Sequence, residues 1–311
     1  MKRGRIFSPS SRGSVSAVGE QALIGLIRRW LGKASPRPPR GMGDDCAVIA
    51  PARGRELLTV DPVVYGVHFD DRTAPAEAGA KLLRRNLSDV AAMGGRPRAA
   101  VLALALDSRV SLAWLRGFFA GLAAESRRHR VPIVGGDVAR LPGAFVATLA
   151  LAGEARGRAV TRTGSRPGDW IYVTGALGGS LRSGHHHSFE PRLAEGAWLA
   201  RRREVRAMMD LSDGLAKDIG ALTPKGCSPA ILARSLPRRT GATVRAALCD
   251  GEDYELVLGV SARARRAPFE AAFRRAFPRT RLTCIGRFAP RGAVPADALR
   301  IADYRGYEHL R

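Results

Sequence analysis

Apolar and polar positions repeat along this chain with two different periods, which together predict a mixture of helices and strands. A period near 3.6 residues predicts amphipathic helices at Glu20–Leu31, Pro75–Met93 and Ser111–Arg128, with a shorter one in LAKDIGAL. Short apolar runs bounded by Gly, Pro or Asp predict strands; in chain order these are ELLTVDPVV, 99–106, VPIVGG, 145–153, DWIYV, AMMD, YELVLGV and LTCIGRF. Helices and strands alternate throughout, which is typical of an α/β or α+β fold.

Breaks in the pattern predict three segments. The start of the chain, MKRGRIFSPSSRGS, has little apolar periodicity, and it predicts a basic disordered tail over residues 1–18. The polar stretch GEARGRAVTRTGSRPGD then interrupts the pattern, and a strand begins directly after it. We therefore predict a first domain over residues 19–155 and a second over residues 156–311.

The charge is strongly basic, with 51 Lys and Arg residues against 28 Asp and Glu residues and a net charge of +23. Such a balance attracts polyanions, so a nucleic-acid-binding protein is one function class to consider. The excess is almost entirely arginine, which a GC-rich genome also produces. No zinc finger, RNP aromatic pair or GXXG loop supports nucleic-acid binding in the sequence, so nucleic acid is not the expected partner.

The apolar runs and the cysteines argue against a membrane protein and against a disulfide or zinc framework. The longest apolar run, 99–106, is too short to cross a bilayer, and no apolar segment follows the basic start as in a signal peptide. We therefore expect a cytoplasmic protein without a membrane partner. The cysteines are scattered and form no CxxC pair, which argues against a disulfide framework or a zinc site.

Carboxylates stand beside glycines, at predicted strand ends or on one helix face. They are Asp44, Asp45, Asp61, Asp89, Asp137, Asp210, Asp213, Glu252 and Asp253. On the predicted 75–93 helix, Asn86 and Asp89 are three residues apart and share a face. Singly, each carboxylate could be a turn or cap residue. Together they indicate a site for several Mg²⁺ ions, since Mg²⁺ combines a few carboxylates with substrate phosphates.

Glycines and one arginine fit a phosphate site as well. Gly135 and Gly136 follow a predicted strand and precede Asp137, where a backbone without side chains can approach phosphate oxygens. The chain has neither a P-loop nor a GxGxxG turn. The segment TGALGGS, residues 174–180, is either a phosphate loop or a flexible turn, and Arg162 is either a bidentate phosphate contact or a surface residue.

The order of these motifs makes the interpretation specific. The segments GMGDDCAVI, NLSDVAAMGG, VPIVGGD, MDLSDGL and CDGEDYELVLGV resemble the thiamine-monophosphate kinases, within the superfamily of phosphoribosylaminoimidazole synthetase. The resemblance covers residues 15 to 308 or so. It implies an N-terminal α/β domain whose sheet pairs across a homodimer, and a C-terminal α/β domain. It also implies that the substrates are ATP and thiamine monophosphate, with Mg²⁺ as the bridging cofactor.

The resemblance assigns roles residue by residue. Metal-binding positions, which include the catalytic aspartates, are Asp44, Thr59, Asp61, Asp89, Asp137, Asp210 and Asp213. Positions that contact ATP are Gly135, Gly136, Arg162 and Ser212, and positions that contact thiamine monophosphate are His68, Glu252 and Tyr304. Asp45 is expected to support the pocket around Asp44.

Three positions depart from the family pattern. Val60 replaces a residue with a side-chain hydroxyl, although its backbone carbonyl could still bind metal. His129 stands where an aromatic nucleotide contact is common, and Tyr304 replaces a frequent tryptophan. The run His185–His187 is predicted to be a polar loop rather than a transition-metal site, because adjacent histidines cannot all converge on one ion.

The implied reaction is phosphoryl transfer between two phosphates. The acceptor phosphate is already a nucleophile, so no general base is required, and catalysis rests on positioning and on charge neutralisation. Two alternatives remain open at this point. One is another ATP-dependent enzyme of the same superfamily, and the other is a basic nucleic-acid-binding protein on a degenerate kinase scaffold.

Overall fold

The computed structural model describes residues 5–38, 40–42 and 46–308. Asp44 and Asp45, on which part of the metal-site prediction depends, lie outside the described residues. The chain divides into two compact units. The first comprises Met1–Val90 and Arg96–Glu154, and the second comprises Ala91–Gly95 and Ala155–Arg311.

The first unit contains a four-stranded sheet and three long helices. In chain order the elements are α1 (Glu20–Leu31), β1 (Arg55–Val64), α2 (Pro75–Ala92), β2 (Arg96–Leu106), α3 (Leu112–His129), β3 (Ile133–Arg140) and β4 (Phe145–Ala155). The strand order is β1-β4-β2-β3. Strand β2 is antiparallel to β4 and parallel to β3, and β1 and β3 are the edge strands.

Helices α2 and α3 approach each other closely because each has a glycine at the contact. A Cβ atom on Gly79 would lie 1.9 Å from the carbonyl oxygen of Phe118, and one on Gly121 would lie 1.9 Å from that of Ala76. No side chain fits at either position. The close contact fixes α2, and with it the face of α2 that lies against β1.

The second unit has a five-stranded sheet of order β6-β8-β5-β9-β7. Its strands are β5 (Trp170–Thr174), β6 (Val205–Asp210), β7 (Cys227–Ile231), β8 (Leu256–Val260) and β9 (Leu282–Pro290). Its helices are α4 (Ser180–Ser183), α5 (His185–Ser188), α6 (Leu193–Ala200), α7 (Leu215–Asp218), α8 (Val244–Cys249) and α9 (Arg266–Ala276). Separate apolar clusters include Ile171, Val173 and Val257 in one, and Tyr172, Leu256 and Leu258 in the other, so alternate strand residues enter different cores.

The segment Ala91–Gly95, which includes the last turn of α2, packs within the second unit. A Cβ atom on Gly196 in α6 would lie 2.1 Å from the carbonyl oxygen of Ala91, and one on Gly94 would lie 2.3 Å from the Cβ atom of Ala200. The second unit is therefore built from two separate stretches of the chain. The sequence analysis assigned residues 91–95 to the first domain.

The mixed α/β class is confirmed, and the three long helices begin and end within one residue of their predicted limits. Several elements of the second unit were missed, namely β7 and the helices α4, α6, α8 and α9. Strand β7 contains Pro229, which cannot donate a ladder hydrogen bond, and the strand accordingly lies at the edge of its sheet. The prediction that the VPIVGG strand ends before Asp137 was wrong, because β3 continues to Arg140 alongside β2.

The predicted disordered tail is wrong for residues 5–18. Ile6 is 1% exposed, and Phe7 and Ser14 form β-bridges to Val110 and Ser111. Two short 3₁₀ turns, Ser11–Gly13 and Val15–Ala17, complete the segment. Burial of Ile6 and the backbone bridges together hold a stretch that has no apolar period of its own.

Helices of sufficient length and apolar character to span a bilayer are absent from the described part of the chain.

Candidate active site

Strand β1 and helix α2 bring three predicted metal-binding residues together. The hydroxyl of Thr59 donates a hydrogen bond to Oδ2 of Asp89. Two residues along the strand, Asp61 faces the same helix, and its Oδ1 lies 3.3 Å from Nη2 of Arg85. The predicted face of α2 is therefore present, and it presents oxygen donors to the strand beside it.

Two further residues of α2 fix the backbone of β1 at this point. Nη1 of Arg85 donates to the carbonyl oxygen of Pro62 at 2.6 Å. The fully buried Asn86 donates through Nδ2 to the carbonyl oxygen of Leu82 at 2.9 Å, and the same atom lies 3.5 Å from that of Asp61. The sequence analysis missed Arg85, although its place one turn before Asp89 could have suggested that it faces β1.

The Gly135-Gly136-Asp137 segment lies in the middle of β3, paired with β2. A Cβ atom on Gly136 would lie 2.0 Å from the carbonyl oxygen of Leu102, so this glycine is needed for strand packing. A Cβ atom on Gly135 would lie 3.5 Å from the nearest atom, on Val101, which is an ordinary contact. Packing within the chain therefore does not explain Gly135.

A cavity of about 830 Å³ opens beside these residues. Its wall contains Gly135, Gly136 and Asp137 from β3 together with residues of α1, β2 and the segment 46–49. Apolar side chains such as Ile24 and Leu104 form much of the remaining wall. An apolar cavity of this size with a few polar groups is typical of a small-molecule site. The two glycines predicted to contact ATP are therefore exposed to a space large enough for a nucleotide.

His68 is held in a turn directly after β1. The amide of Val64 donates to its Nδ1 at 3.1 Å, which assigns the ring proton of the neutral form to Nε2. The ammonium of Lys81, which is fully buried, donates to the carbonyl oxygen of His68 at 2.8 Å. Hydrogen bonds thus fix both the backbone and the ring of His68, which is predicted to contact the substrate.

In the second unit, the MDLSDGL and GEDYEL segments lie side by side. Asp210 ends β6 and is 3% exposed. The amide of Glu252 donates to the carbonyl oxygen of Ser212 at 2.7 Å. The structure thus brings Ser212 and Glu252, predicted to contact ATP and thiamine monophosphate respectively, into direct backbone contact.

Asp213 is oriented by residues on both sides of it. Its amide donates to Oδ2 of Asp218 at 3.0 Å, and its Oδ2 lies 2.8 Å from Nζ of Lys217. Its carbonyl oxygen accepts from the amide of Tyr307 at 2.8 Å. Burial raises the pKa of Asp218 to about 6, and the neighbouring Asp213 carboxylate adds to that rise. The carboxylate of Asp213 raises the pKa of Lys217.

The turn that carries Glu252 is strained. Glu252 has φ of 62° and Tyr254 has φ of 50°, a region that non-glycine residues rarely adopt. The hydroxyl of Tyr254 donates to Oε1 of Glu252 at 3.3 Å. Backbone strain of this kind often occurs at functional sites. The sequence analysis missed it, because left-handed backbone is signalled in sequence mainly by glycine and asparagine.

Of the two alternatives for residues 174–180, a phosphate loop or a turn, the contacts favour a turn. The amide of Gly178 donates to both carboxylate oxygens of Asp253, at 3.1 and 2.9 Å. The amide of Gly179 donates to Oδ2 of Asp250 at 2.7 Å. Carboxylates of the chain itself therefore accept hydrogen bonds from the backbone amides that a phosphate would need.

The remaining predicted positions have different surroundings. Arg162 is exposed, whereas Tyr304 is half-buried and packs against the core beside Ile301. His129 does not line the cavity: its Nε2 lies 3.2 Å from Oε2 of Glu125. Val60 is 59% exposed on the face of β1 opposite Thr59.

The histidine run is a short helical turn, α5, rather than the predicted loop. Nε2 of His185 lies 3.3 Å from the carbonyl oxygen of Asp253, and Nδ1 of His186 lies 3.1 Å from that of Ser180. Burial and the nearby Arg239 lower the pKa of His185 to about 4. The ring of His185 thus contacts the GEDYEL segment, whereas the ring of His186 contacts α4.

The donor atoms fit Mg²⁺ in chemistry, since they are the oxygens of one hydroxyl and several carboxylates. Over residues 5–38, 40–42 and 46–308, however, no three His, Cys, Asp or Glu side chains lie together as a complete metal site. Mg²⁺ usually takes only one or two carboxylates and completes its coordination with waters and phosphate oxygens. Thr59, Asp61 and Asp89 therefore fit an ion that arrives with a nucleotide.

Comparison with known proteins identifies the family of this chain. The family profile described as AIR synthase related protein, N-terminal domain, matches residues 43–155, which include β1, α2 and the Gly135-Gly136-Asp137 segment. The thiamine-monophosphate kinase of Synechococcus elongatus is 35% identical over 279 residues, 80% of this chain and 84% of the relative. The chain belongs to the thiamine-monophosphate kinase family, as its motifs predicted.

Solved structures agree with this assignment. Thiamine-monophosphate kinase from Stenotrophomonas maltophilia K279a superposes with a TM-score of 0.71 at 31% identity, covering 88% of this chain and 94% of that chain. The structure described as AaThiL complexed with AMPPCP and TMP has a TM-score of 0.69 at 27% identity, with 95% and 98% of the two chains covered. The mixed α/β fold of this chain is thus similar to that of solved members of the family.

Proposed function

We propose that this protein transfers a phosphoryl group from ATP to thiamine monophosphate and so forms thiamine diphosphate. The observation that carries the proposal is the similarity to thiamine-monophosphate kinase along 80% of the chain. Support also comes from the AaThiL structure, a relative that was solved with AMPPCP and TMP bound.

In the first unit, the cavity beside Gly135 and Gly136 receives the nucleotide. Gly135 leaves the wall of β3 without a side chain, so a phosphate or ribose can approach the backbone. Thr59, Asp61 and Asp89 would hold Mg²⁺ together with the phosphates. Asp44 and Asp137 are added to the metal-binding set by resemblance, and Asp137 lies on β3, at the opposite edge of the sheet from β1. Bound Mg²⁺ supplies charge neutralisation for the transferred phosphoryl group. Arg85 keeps Asp61 oriented toward its neighbours on α2.

In the second unit, Asp210 and Asp213 contribute further metal-binding carboxylates. By resemblance, Ser212 and Arg162 are the ATP-contact positions of this unit, and Glu252 and Tyr304 are its thiamine-monophosphate positions. The resemblance assigns His68 to thiamine monophosphate as well. Glu252 suits this role because the thiazolium ring of the substrate is a cation, which a carboxylate attracts. The hydrogen bond between the backbones of Glu252 and Ser212 couples the substrate-binding turn to the nucleotide-binding turn.

We also propose that the chain forms a homodimer through the sheet of the first unit. Strand β1 lies at the edge of this sheet, and its Leu58 and Val60 are 79% and 59% exposed. Apolar side chains on an unpaired edge strand favour association with a second copy. The loss of a hydroxyl at Val60 thus coincides with an apolar surface that a partner sheet would cover.

The first experiment measures thiamine diphosphate after incubation with ATP, Mg²⁺ and thiamine monophosphate. We expect turnover by the wild-type protein and a loss on the order of 10²–10³ in kcat for Asp89→Asn, by analogy with the removal of one electrostatic contact. Asp297→Asn is the matched control, since its side chain is 56% exposed and pairs only with Arg234 among the described contacts. No product from the folded wild-type protein would refute the proposed function.

A further inference from the structure

Two buried ion pairs flank the strained turn that carries Glu252. On one side, Nη1 of Arg239 lies 2.7 Å from Oδ1 of Asp253, and Asp253 is 1% exposed. On the other side, Arg192 binds both carboxylate oxygens of Glu255 at 2.7 and 2.6 Å. Neither arginine belongs to a motif that the sequence analysis singled out.

Arg239 links the turn to a second segment of the chain. Its Nη1 also donates to the carbonyl oxygen of Gly178, and its Nη2 donates to that of Ala176, each at 2.8 Å. The amide of Gly178 in turn donates to Asp253. Arg239, Asp253 and residues 176–178 therefore form a closed hydrogen-bonded group, which we call the Arg239 clamp.

The clamp acts on backbone that would relax without it. Left-handed backbone at a non-glycine residue costs on the order of 1–3 kcal/mol, and it persists only where the surroundings hold it. Between the clamp and the Arg192–Glu255 pair, Tyr254 stacks on Phe189 with ring centroids 4.0 Å apart. These contacts hold both residues that flank Asp253, including Glu252, in their left-handed conformations.

The geometry points to Arg239 as a positioning residue for thiamine monophosphate, which acts by holding Asp253 and so fixing the direction in which Glu252 presents its carboxylate. The inference rests on the proposed function, in which Glu252 contacts that substrate. Arg239 itself bonds to Asp253 and to backbone carbonyl groups, so its effect on substrate is indirect. The turn that carries Ser212 shares backbone hydrogen bonds with the Glu252 turn but also has contacts of its own, since Asp213 is fixed by Asp218 and Tyr307. We therefore expect the loss of Arg239 to disturb the nucleotide side less than the Glu252 turn.

Removing Arg239 alone would leave the Asp253 carboxylate buried without its charge partner, which by itself destabilises a fold. The informative variant is therefore the double substitution Arg239→Met with Asp253→Asn, which removes both charges and retains an acceptor for Gly178. Arg239→Lys is the conservative variant: it keeps the positive charge, but its single nitrogen lacks the planar fork through which Nη1 and Nη2 reach their acceptors from two positions. Arg238→Met is the matched control: Arg238 is exposed and donates to Ala242.

Three measurements are made on each full-length variant. They are the melting temperature, the KM for each substrate, and amide hydrogen exchange over residues 250–256. In the double variant we expect an ordered fold, faster exchange in 250–256, and a KM for thiamine monophosphate raised on the order of tenfold, because a misplacement of about 1 Å can cost up to about 10²-fold. The KM for ATP should change less than about twofold, Arg239→Lys should be intermediate, and Arg238→Met should match wild type.

A folded double variant with unchanged exchange over 250–256, or with both KM values raised equally, would overturn the inference. The exchange measurement does not depend on turnover. If the wild-type protein made no thiamine diphosphate, the proposed function would fail, while exchange in 250–256 would still decide whether Arg239 holds this turn.

Discussion

At the scale of single residues, neighbouring carboxylates of one motif have different tasks. In the GEDYEL segment, Asp253 and Glu255 are 1% and 2% exposed and are neutralised by arginines, whereas Glu252 is only half-buried. The sequence analysis grouped Asp253 with the metal-site carboxylates, and its contacts with Arg239 and Gly178 make that interpretation wrong. The partners of Asp253 and Glu255 lie 14 and 63 residues away in the chain. A local motif carries no information about such distant partners.

The same distinction applies to the two glycines of β3. We expect Gly135→Ala to leave the melting temperature unchanged but to weaken ATP binding roughly tenfold or more, since one methyl group in a fitted pocket is worth about 1–3 kcal/mol. Gly136→Ala should instead lower the free energy of unfolding by about 1–3 kcal/mol, because its Cβ atom has no space beside Leu102. Calorimetric ATP titration and urea unfolding measure the two effects. Equal ATP affinity in Gly135→Ala and wild type would show that the nucleotide does not approach this residue.

At the scale of elements, the long helices were predictable because their apolar period extends over three or more turns. The helices α4, α5 and α8, which the pattern did not predict, have only four to six residues, too few for a period to emerge. Likewise, the face of α2 with Asn86 and Asp89 followed from residue spacing alone. Thr59 in β1, which contacts Asp89, could be assigned only by resemblance, because contacts between a strand and a helix are set by the tertiary fold.

Helix α3 carries an acid-sensitive contact near its end. Burial opposes the ionisation of Glu125, but His129 and Arg84 outweigh it and lower the pKa of this carboxyl to about 2. A carboxyl with a lowered pKa in the folded state contributes stability that is complete above its unfolded pKa of about 4.3. That contribution is lost as the pH falls from there toward about 2.

We therefore expect the urea midpoint to fall between pH 5 and pH 2.5 more steeply in wild type than in Glu125→Gln. The variant should also be less stable at neutral pH, because Arg84 loses its charge partner. Glu56→Gln is the control, since the Glu56 side chain is 60% exposed and its ion pair with Arg98 is 3.3 Å long. If Glu125→Gln retained the full wild-type pH dependence, other carboxyls would have to account for it.

At the scale of the whole molecule, the homodimer proposal makes a sharp prediction about mass. Wild-type protein should scatter light as twice 33.3 kDa at micromolar concentration. Leu58→Glu and Val60→Glu should shift it toward the monomer mass, because each places a charge on the apolar edge strand. Leu181→Glu is the control, since Leu181 is 61% exposed and lies in α4 of the second unit. A monomeric wild type would contradict the proposal.

The division into two units was anticipated only in part. The polar stretch after residue 153 marked one passage of the chain from one unit to the other, and the units divide between Glu154 and Ala155. The two other passages, at either end of Ala91–Gly95, have no such mark. One of these passages lies within α2, and the other lies shortly after its end. Both arise because this segment packs tightly against Gly196 and Ala200, about a hundred residues later in the chain.

That short segment has a consequence for how the protein is made. As the chain leaves the ribosome, residues 91–95 emerge well before Gly196 and Ala200, and they must wait for these partners while the rest of the first unit is synthesised. Cutting the gene at codon 155 would not yield two self-sufficient products. One product would carry a helix end without its packing surface, and the other would have a hole where that helix end belongs.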